Sequence, residues 1–242
     1  MQNAGSSSLF DDLDAALQSG SSEKRVAMLR QITDLFLSEA DRLNDEQMSL
    51  FDSVLVPLIE RIESRALLEI SMRLGRIANA PIGLTLSLAR HCEIGIARPI
   101  LTNSSRLTTA HLVEIAKTGS QDHLLAISER VQLETAVTDV LLDRGNRAIV
   151  RSVAGNSGAK FSEHGFAALL KAAEADDRLA QTTGSRRDMS FDLLRQLLLR
   201  TSEAVRYRLL SGTPAALQQE MSRALRAAAR MVEPGSSKPR GL

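Results

Sequence analysis

The sequence contains no Trp, one Tyr (Tyr207), one Cys (Cys92) and only 3% aromatic residues. Each shortage excludes something. Strands are enriched in aromatic and β-branched side chains, so a chain this poor in rings has little with which to build a packed sheet. A single cysteine cannot close an intramolecular disulfide, and it rules out a Cys-based zinc knuckle. No apolar run approaches the roughly 18–20 residues that a membrane-spanning helix requires, so no membrane partner is expected. The first residues, Met1 to Ser8 followed by Asp11, Asp12 and Asp14, lack the basic and apolar regions of a secretory signal. A cytoplasmic protein is expected.

Catalytic signatures are also missing. There is no dinucleotide or P-loop glycine pattern, no nucleophile elbow and no HExxH. Glycines do occur in Arg144–Arg147 (RGNR) and Ala154–Ala159 (AGNSGA), but no strand precedes them, and a phosphate-cradling loop needs one. Here they mark helix ends, with Gly145 expected to be a left-handed C-cap. No cofactor and no metal site is expected.

What is present is helical. Leu, Ala and Ile dominate an apolar content of 43%, and Arg, Glu and Gln are good helix formers. The chain repeats itself. IARPILTNSS (Ile96–Ser105) aligns with IVRSVAGNSG (Ile149–Gly158) at an offset of 53, and LTTAHLVEIAK (Leu107–Lys117) with FSEHGFAALLK (Phe161–Lys171) at 54. A third copy begins at Ala204 and runs into TPAALQQEMSRAL (Thr213–Leu225), and Ile32–Phe51 has the same two-part design upstream. Between them, Ile70–Arg90, His123–Gly145 and Asp188–Arg200 read as helices of the same size. The period therefore splits into halves of about 26 residues, each a helical hairpin.

Helix starts support this register. Leu43–Asn44–Met48, Leu107–Thr108–Leu112 and Phe161–Ser162–Phe166 each place an apolar residue before a capping side chain and another at the fourth helical position. That is a hydrophobic staple around an N-cap, which fixes the entry angle of the chain. Thr213 with Pro214 is expected to open the last helix in the same way. There Leu217, Met221, Leu225, Ala228 and Met231 form one stripe, and Gln218, Glu220, Arg223, Arg226 and Arg230 lie away from it. A one-sided terminal helix suits the end of a stack. The expected fold is all-α: an α-solenoid of about twelve helices over residues 23–231, flanked by tails at 1–22 and 232–242. Leu9, Phe10, Leu13 and Leu17, at helical spacing in the first tail, could form a short docking helix.

The phrase Arg, small apolar residues, Asn, then cap and Leu-x-x-Leu resembles the HEAT-like repeats and their leucine-rich-repeat variant. It is carried by Arg98 to Asn103 with Leu107 to Ile115, and by Arg151 to Asn156 with Phe161 to Leu169. Residues 24 to about 210 further resemble an alphaproteobacterial domain-of-unknown-function family, through LRQITDLFL, ARPILTNSSRLT and DVLLDRGNRAIVRSVAGNSGAKFSEHG with the Arg187–Asp188 pair. The resemblance implies a HEAT-like solenoid and no activity. It also implies that Arg98, Arg151 and Arg206, at one repeat position, pair with an acid or a helix carboxyl end in an adjacent repeat. Asn103 and Asn156 are expected to end helices, since Asn tolerates the left-handed conformation.

His91, Cys92 and Glu93 are adjacent and point about 100° apart on a helix, so they cannot converge on one ion. His111, His123 and His164 share no metal-ligand spacing. His111 and His164 are expected to be exposed in first turns. The charge distribution gives the clearest functional lead. The net charge is +1, yet residues 178–242 hold twelve Arg or Lys against five acids, a balance of +7 that leaves −6 for the rest. Arg186, Arg187, Arg195, Arg200, Arg206 and Arg208 form a candidate surface for an anionic partner. The expected function is a non-enzymatic scaffold or adaptor for another protein, with homodimerisation as one mode of association. The alternative is binding of the nucleic-acid duplex backbone through the arginines. A glycosylase-type enzyme would need an aromatic-lined pocket, against which the scarcity of rings counts.

Overall fold

The computed structural model describes residues 22–39, 43–59, 62–211, 218–219 and 222–223. Among them are thirteen helices and no strand. They are α1 (Ser22–Glu39), α2 (Asp45–Ile59), α3 (Ser64–Leu74), α4 (Ile82–Ala89), α5 (Ile94–Asn103), α6 (Thr109–Thr118) and α7 (Gln121–Ser128). Then come α8 (Thr135–Arg144), α9 (Arg147–Gly155), α10 (Glu163–Ala173), α11 (Asp177–Gly184), α12 (Phe191–Arg200) and α13 (Glu203–Ser211). The Leu9–Leu17 stripe, the Thr213–Pro214 start and the Leu217–Met231 stripe lie outside the described residues.

Helix starts follow the staple grammar. Asn44 Oδ1 accepts from Gln47 N at 2.9 Å while Gln47 Oε1 accepts from Asn44 N at 3.0 Å, a reciprocal capping box. Thr108 caps α6 and its own backbone N–H donates back to His111 Nδ1, so His111 is a half-buried capping residue rather than simply exposed. Ser162 caps α10 through Gly165 N at 2.9 Å, with the Phe161 and Phe166 rings 5.3 Å apart behind it.

Packing runs in two layers. The odd helices α1, α3, α5, α7, α9, α11 and α13 contact one another in that order, and in the even layer α2 packs on α4, and α6, α8, α10 and α12 pack in succession. Substantial helix–helix contacts join only elements one or two apart in the chain. That is a solenoid: each hairpin buries its apolar face on its neighbours rather than on a shared centre. The core is continuous along the stack, from Leu29 and Phe36 through Ile70, Leu84, Ile100, Ile115, Leu141 and Leu169 to Leu197 and Val205.

Asn103 and Asn156 end their helices as expected, but the left-handed geometry expected at Gly145 and allowed for the asparagines is not adopted. No described residue, glycine included, has positive φ. Gly145 follows α8 with φ −70 and ψ 143, and Asn156 follows α9 with φ −78 and ψ 111. The chain leaves α5, α6, α8, α9 and α12 through extended backbone, and leaves α3, α7, α10 and α11 through a residue still in the right-handed helical region, so no connection uses a left-handed residue. Asn103 is the last residue of α5, and its amide donates to Pro99 O at 3.0 Å. Gly158 has a steric reason: a Cβ there would collide with the Val131 carbonyl. That close approach allows a single parallel bridge between Leu133 and Ala159, in which Lys160 N donates to Leu133 O at 2.9 Å.

Candidate interaction surface

Two sets of polar bonds tie successive repeats together. In the first, acids and bases on neighbouring helices of one layer pair. Arg30 meets Glu69 at 2.8 Å and Arg73 meets Asp34 at 2.5 Å between α1 and α3. Arg98 on α5 meets Glu129, just past α7, at 2.6 Å. Arg151 on α9 makes a two-pronged pair with Asp176, the N-cap of α11, both prongs at 2.8 Å. Asp176 also accepts from Leu179 N at 3.1 Å and lies 3.6 Å from Arg147. Its carboxylate is buried, with a side-chain exposure of 3%. The Arg151 hydrogen bond, aided by the Leu179 amide, holds Asp176 below the ordinary carboxylate range despite its burial. In the even layer, His164 on α10 faces Asp143 on α8 at 3.0 Å, and this carboxylate raises the histidine pKa.

The second set reaches carbonyl oxygens, through residues other than Arg98, Arg151 and Arg206. Helix C-termini expose carbonyls without intrahelical partners and carry partial negative charge. Here side chains from the following repeat satisfy them. Arg106 donates to Ala80 O, in the connection between α3 and α4 rather than at a helix end, at 2.9 Å. Arg130 donates to Leu101 O and Ser104 O at 2.6 and 2.8 Å, and burial lowers its guanidinium pKa. Asn156 donates to Ser128 O and Arg130 O at 3.0 and 2.6 Å. Arg186 donates to Ala154 O, Asn156 O and Ala159 O at 2.7–2.9 Å. In the even layer Arg144 does the same for Ala116 and Gly119. The local signal is an Arg or Asn one to three residues after each odd helix from α5 to α11.

This arrangement redistributes the candidate arginines. Arg186 leaves the anionic-partner surface: its side chain is 7% exposed, lies 4.5 Å over the Phe161 ring and pairs with Asp188 at 2.8 Å. Arg187, next to it, is exposed and has no ion pair among the described residues. Arg195 lies 3.9 Å from Asp192 and Arg200 3.1 Å from Glu174, both on α12 in the even layer. Arg206 and Arg208 are on α13 in the odd layer. Arg206 Nε is buried without a hydrogen-bond partner. The six side chains do not share one face.

The loops that follow the odd helices enclose a groove of about 810 Å³. Ala154, Gly155, Gly158 and Ala159 contribute to its lining, as do Lys160 and Arg187. Lys160 pairs with Glu134 at 2.8 Å and remains 65% exposed. The histidines lie elsewhere. His123 is buried; its Nε2–H donates to His91 O at 3.0 Å, and its Nδ1 accepts from the Ser120 hydroxyl at 2.8 Å. His91 Nδ1 accepts from Glu93 N, and Cys92 beside it is exposed. Among the described residues no three His, Cys, Asp or Glu side chains gather as a metal site, and no helix is long and apolar enough to cross a membrane.

Among the described residues, thirteen helices in two layers, packed neighbour on neighbour, define an α-solenoid repeat protein. The chain belongs to the family described as uncharacterised protein conserved in bacteria (DUF2336), whose model matches residues 96–240. The match begins at α5, well after the residue 24 suggested by the sequence, and extends beyond α13. No curated protein and no solved structure shows a significant match to the chain.

Proposed function

We propose that this chain is a non-enzymatic scaffold that holds a segment of another protein. The observation that carries this reading is that the stack is braced from within. Charge pairs and guanidinium–carbonyl bonds between repeats support each hairpin, so an extended surface is available without reorganisation on binding. Two buried ionisable side chains, Asp176 and His123, are occupied by hydrogen bonds within the stack. Asp176 is held ionised by Arg151, and both ring nitrogens of His123 are engaged. A reducing compartment such as the cytoplasm suits the exposed Cys92 thiol. Nucleic-acid binding draws less support, because a phosphate backbone is gripped by a contiguous cationic stripe and these arginines divide between two layers.

The test is a pull-down by the full chain from nuclease-treated lysate of a bacterium that carries it. A specific protein retained in near-stoichiometric amount supports the scaffold. Recovery of nothing above a tag-only control refutes it, as does retention that disappears with nuclease.

A further inference from the structure

We infer that the groove between the α9–α10 and α11–α12 loops receives an extended, acidic protein segment. This rests on the scaffold reading and names the chemistry of the partner. The groove's shape comes first. Gly155, Gly158, Ala154 and Ala159 bring no side chain longer than a methyl group, so a partner backbone can come close. A Cβ added to Gly155 would meet only Thr182 Cγ2, at 3.8 Å. Gln132, Ser157 and Ser185 are exposed polar side chains around it, each able to bond a peptide group.

Charge then selects the occupant. The lining carries Lys160, Arg186 and Arg187 against Asp188 alone, a local balance of +2. Arg186 and Asp188 satisfy each other, and Arg186 is further spent on three carbonyls. The charges presented to a partner are therefore Arg187 and Lys160. A carboxylate side chain on an incoming segment can replace Glu134 at Lys160 while another meets Arg187 in a two-pronged pair. The site suits a peptide better than a small molecule, because it lies open to water whereas small-ligand pockets are mostly enclosed. It also suits carboxylates better than a duplex. Arg187, without an ion pair, and Lys160, shared with Glu134, make a short clamp over two repeats, and a duplex needs a longer track.

Fluorescence anisotropy with the full chain tests this, using a fluorescein-labelled Gly/Ser peptide carrying four Asp residues and a control with Asn in their place. In low salt the acidic peptide should bind at least about tenfold more tightly than the Asn control. The double variant Lys160→Ser with Arg187→Ser should weaken it about fivefold or more, and Arg208→Ser should leave it unchanged. Circular dichroism of each variant establishes that the fold is retained. Equal binding of the two peptides overturns the assignment, as does a double variant that binds like wild type. Duplex DNA that competes for the same two cations more strongly than the acidic peptide also overturns it. The pull-down separates this idea from its parent. A partner still retained by the double variant leaves the scaffold standing and removes the groove. Acidic-peptide binding without any retained protein keeps the groove and removes the scaffold.

Discussion

Replacing Asp176 by alanine takes away three contacts at once: the two-pronged partner of Arg151, the cap on Leu179 N and the nearby charge of Arg147. Loss of an N-cap side chain costs about 1 kcal/mol. Hydrogen bonds to a charged group are worth about 1.5–3 kcal/mol net, and the lower end applies because the partner side chain, 39% exposed, can be rehydrated. The variant should therefore be less stable by about 2–3 kcal/mol. For a chain of this size that is a fall in melting temperature of about 5–10 °C. Because repeat stability is local, hydrogen exchange should accelerate in α9 to α11 and stay near wild type in α3 to α5. Asp176→Asn keeps a competent cap and isolates the charge. The folded pKa of Asp176 is depressed, so its ionic contribution is complete above the unfolded value of about 3.9 and is lost as pH falls through the folded value. The difference between wild type and Asp176→Asn in urea titrations should stay flat from pH 8 to 6 and shrink only in stronger acid. An Asp176→Ala protein within about 0.5 kcal/mol of wild type at pH 7 would refute the reasoning, since that is the range of ordinary surface substitutions. So would a gap that closes between pH 7 and 5.

Other consequences are open to measurement. Arg186→Ala should cost about 2–4 kcal/mol in urea unfolding because it strands carbonyls at the end of α9, and Arg186→Lys should recover little of it, since an ammonium cannot span three carbonyls and lie over Phe161. Gly158→Ala should lose about 1–3 kcal/mol by the same assay as its Cβ forces Val131 away, and the Leu133–Ala159 bridge amides should exchange faster. Thr108→Val, which removes the α6 cap while keeping the volume, should cost about 1 kcal/mol. His164 should titrate above its ordinary value by NMR and fall back towards it in Asp143→Asn. The His164–Asp143 attraction is complete below the unfolded histidine pKa and is lost as pH rises through the folded one.

Local grammar made the repeat readable. The staples at Leu107–Leu112 and Phe161–Phe166 mark helix starts through residues only a few positions apart, and the 26-residue half-period follows from spacing alone. The bracing was harder to read because it depends on which helix end becomes a neighbour. Arg106, Arg130 and Arg186 look in sequence like solvated cations after helix ends, and only stacking shows that each faces the open carbonyls of the previous repeat. That is also why Arg186 was grouped with Arg187: adjacent in the chain, one is consumed inside the stack and the other faces water. The extended backbone at Gly145 and Asn156 has a related reason. Both residue types tolerate the left-handed region, but the geometry of the next hairpin, not the residue, decides whether the chain enters it.

Every guanidinium-to-carbonyl bond among the described residues runs from a later repeat to an earlier one. Synthesis is directional in the opposite sense, delivering the amino-terminal hairpins first. A hairpin leaving the ribosome therefore has its helix ends uncapped until roughly one more hairpin has emerged, so the nascent stack matures one step behind its own elongation. A chain truncated from the carboxyl end leaves a raw edge, whereas one shortened from the front keeps every guanidinium clamp of the hairpins that remain.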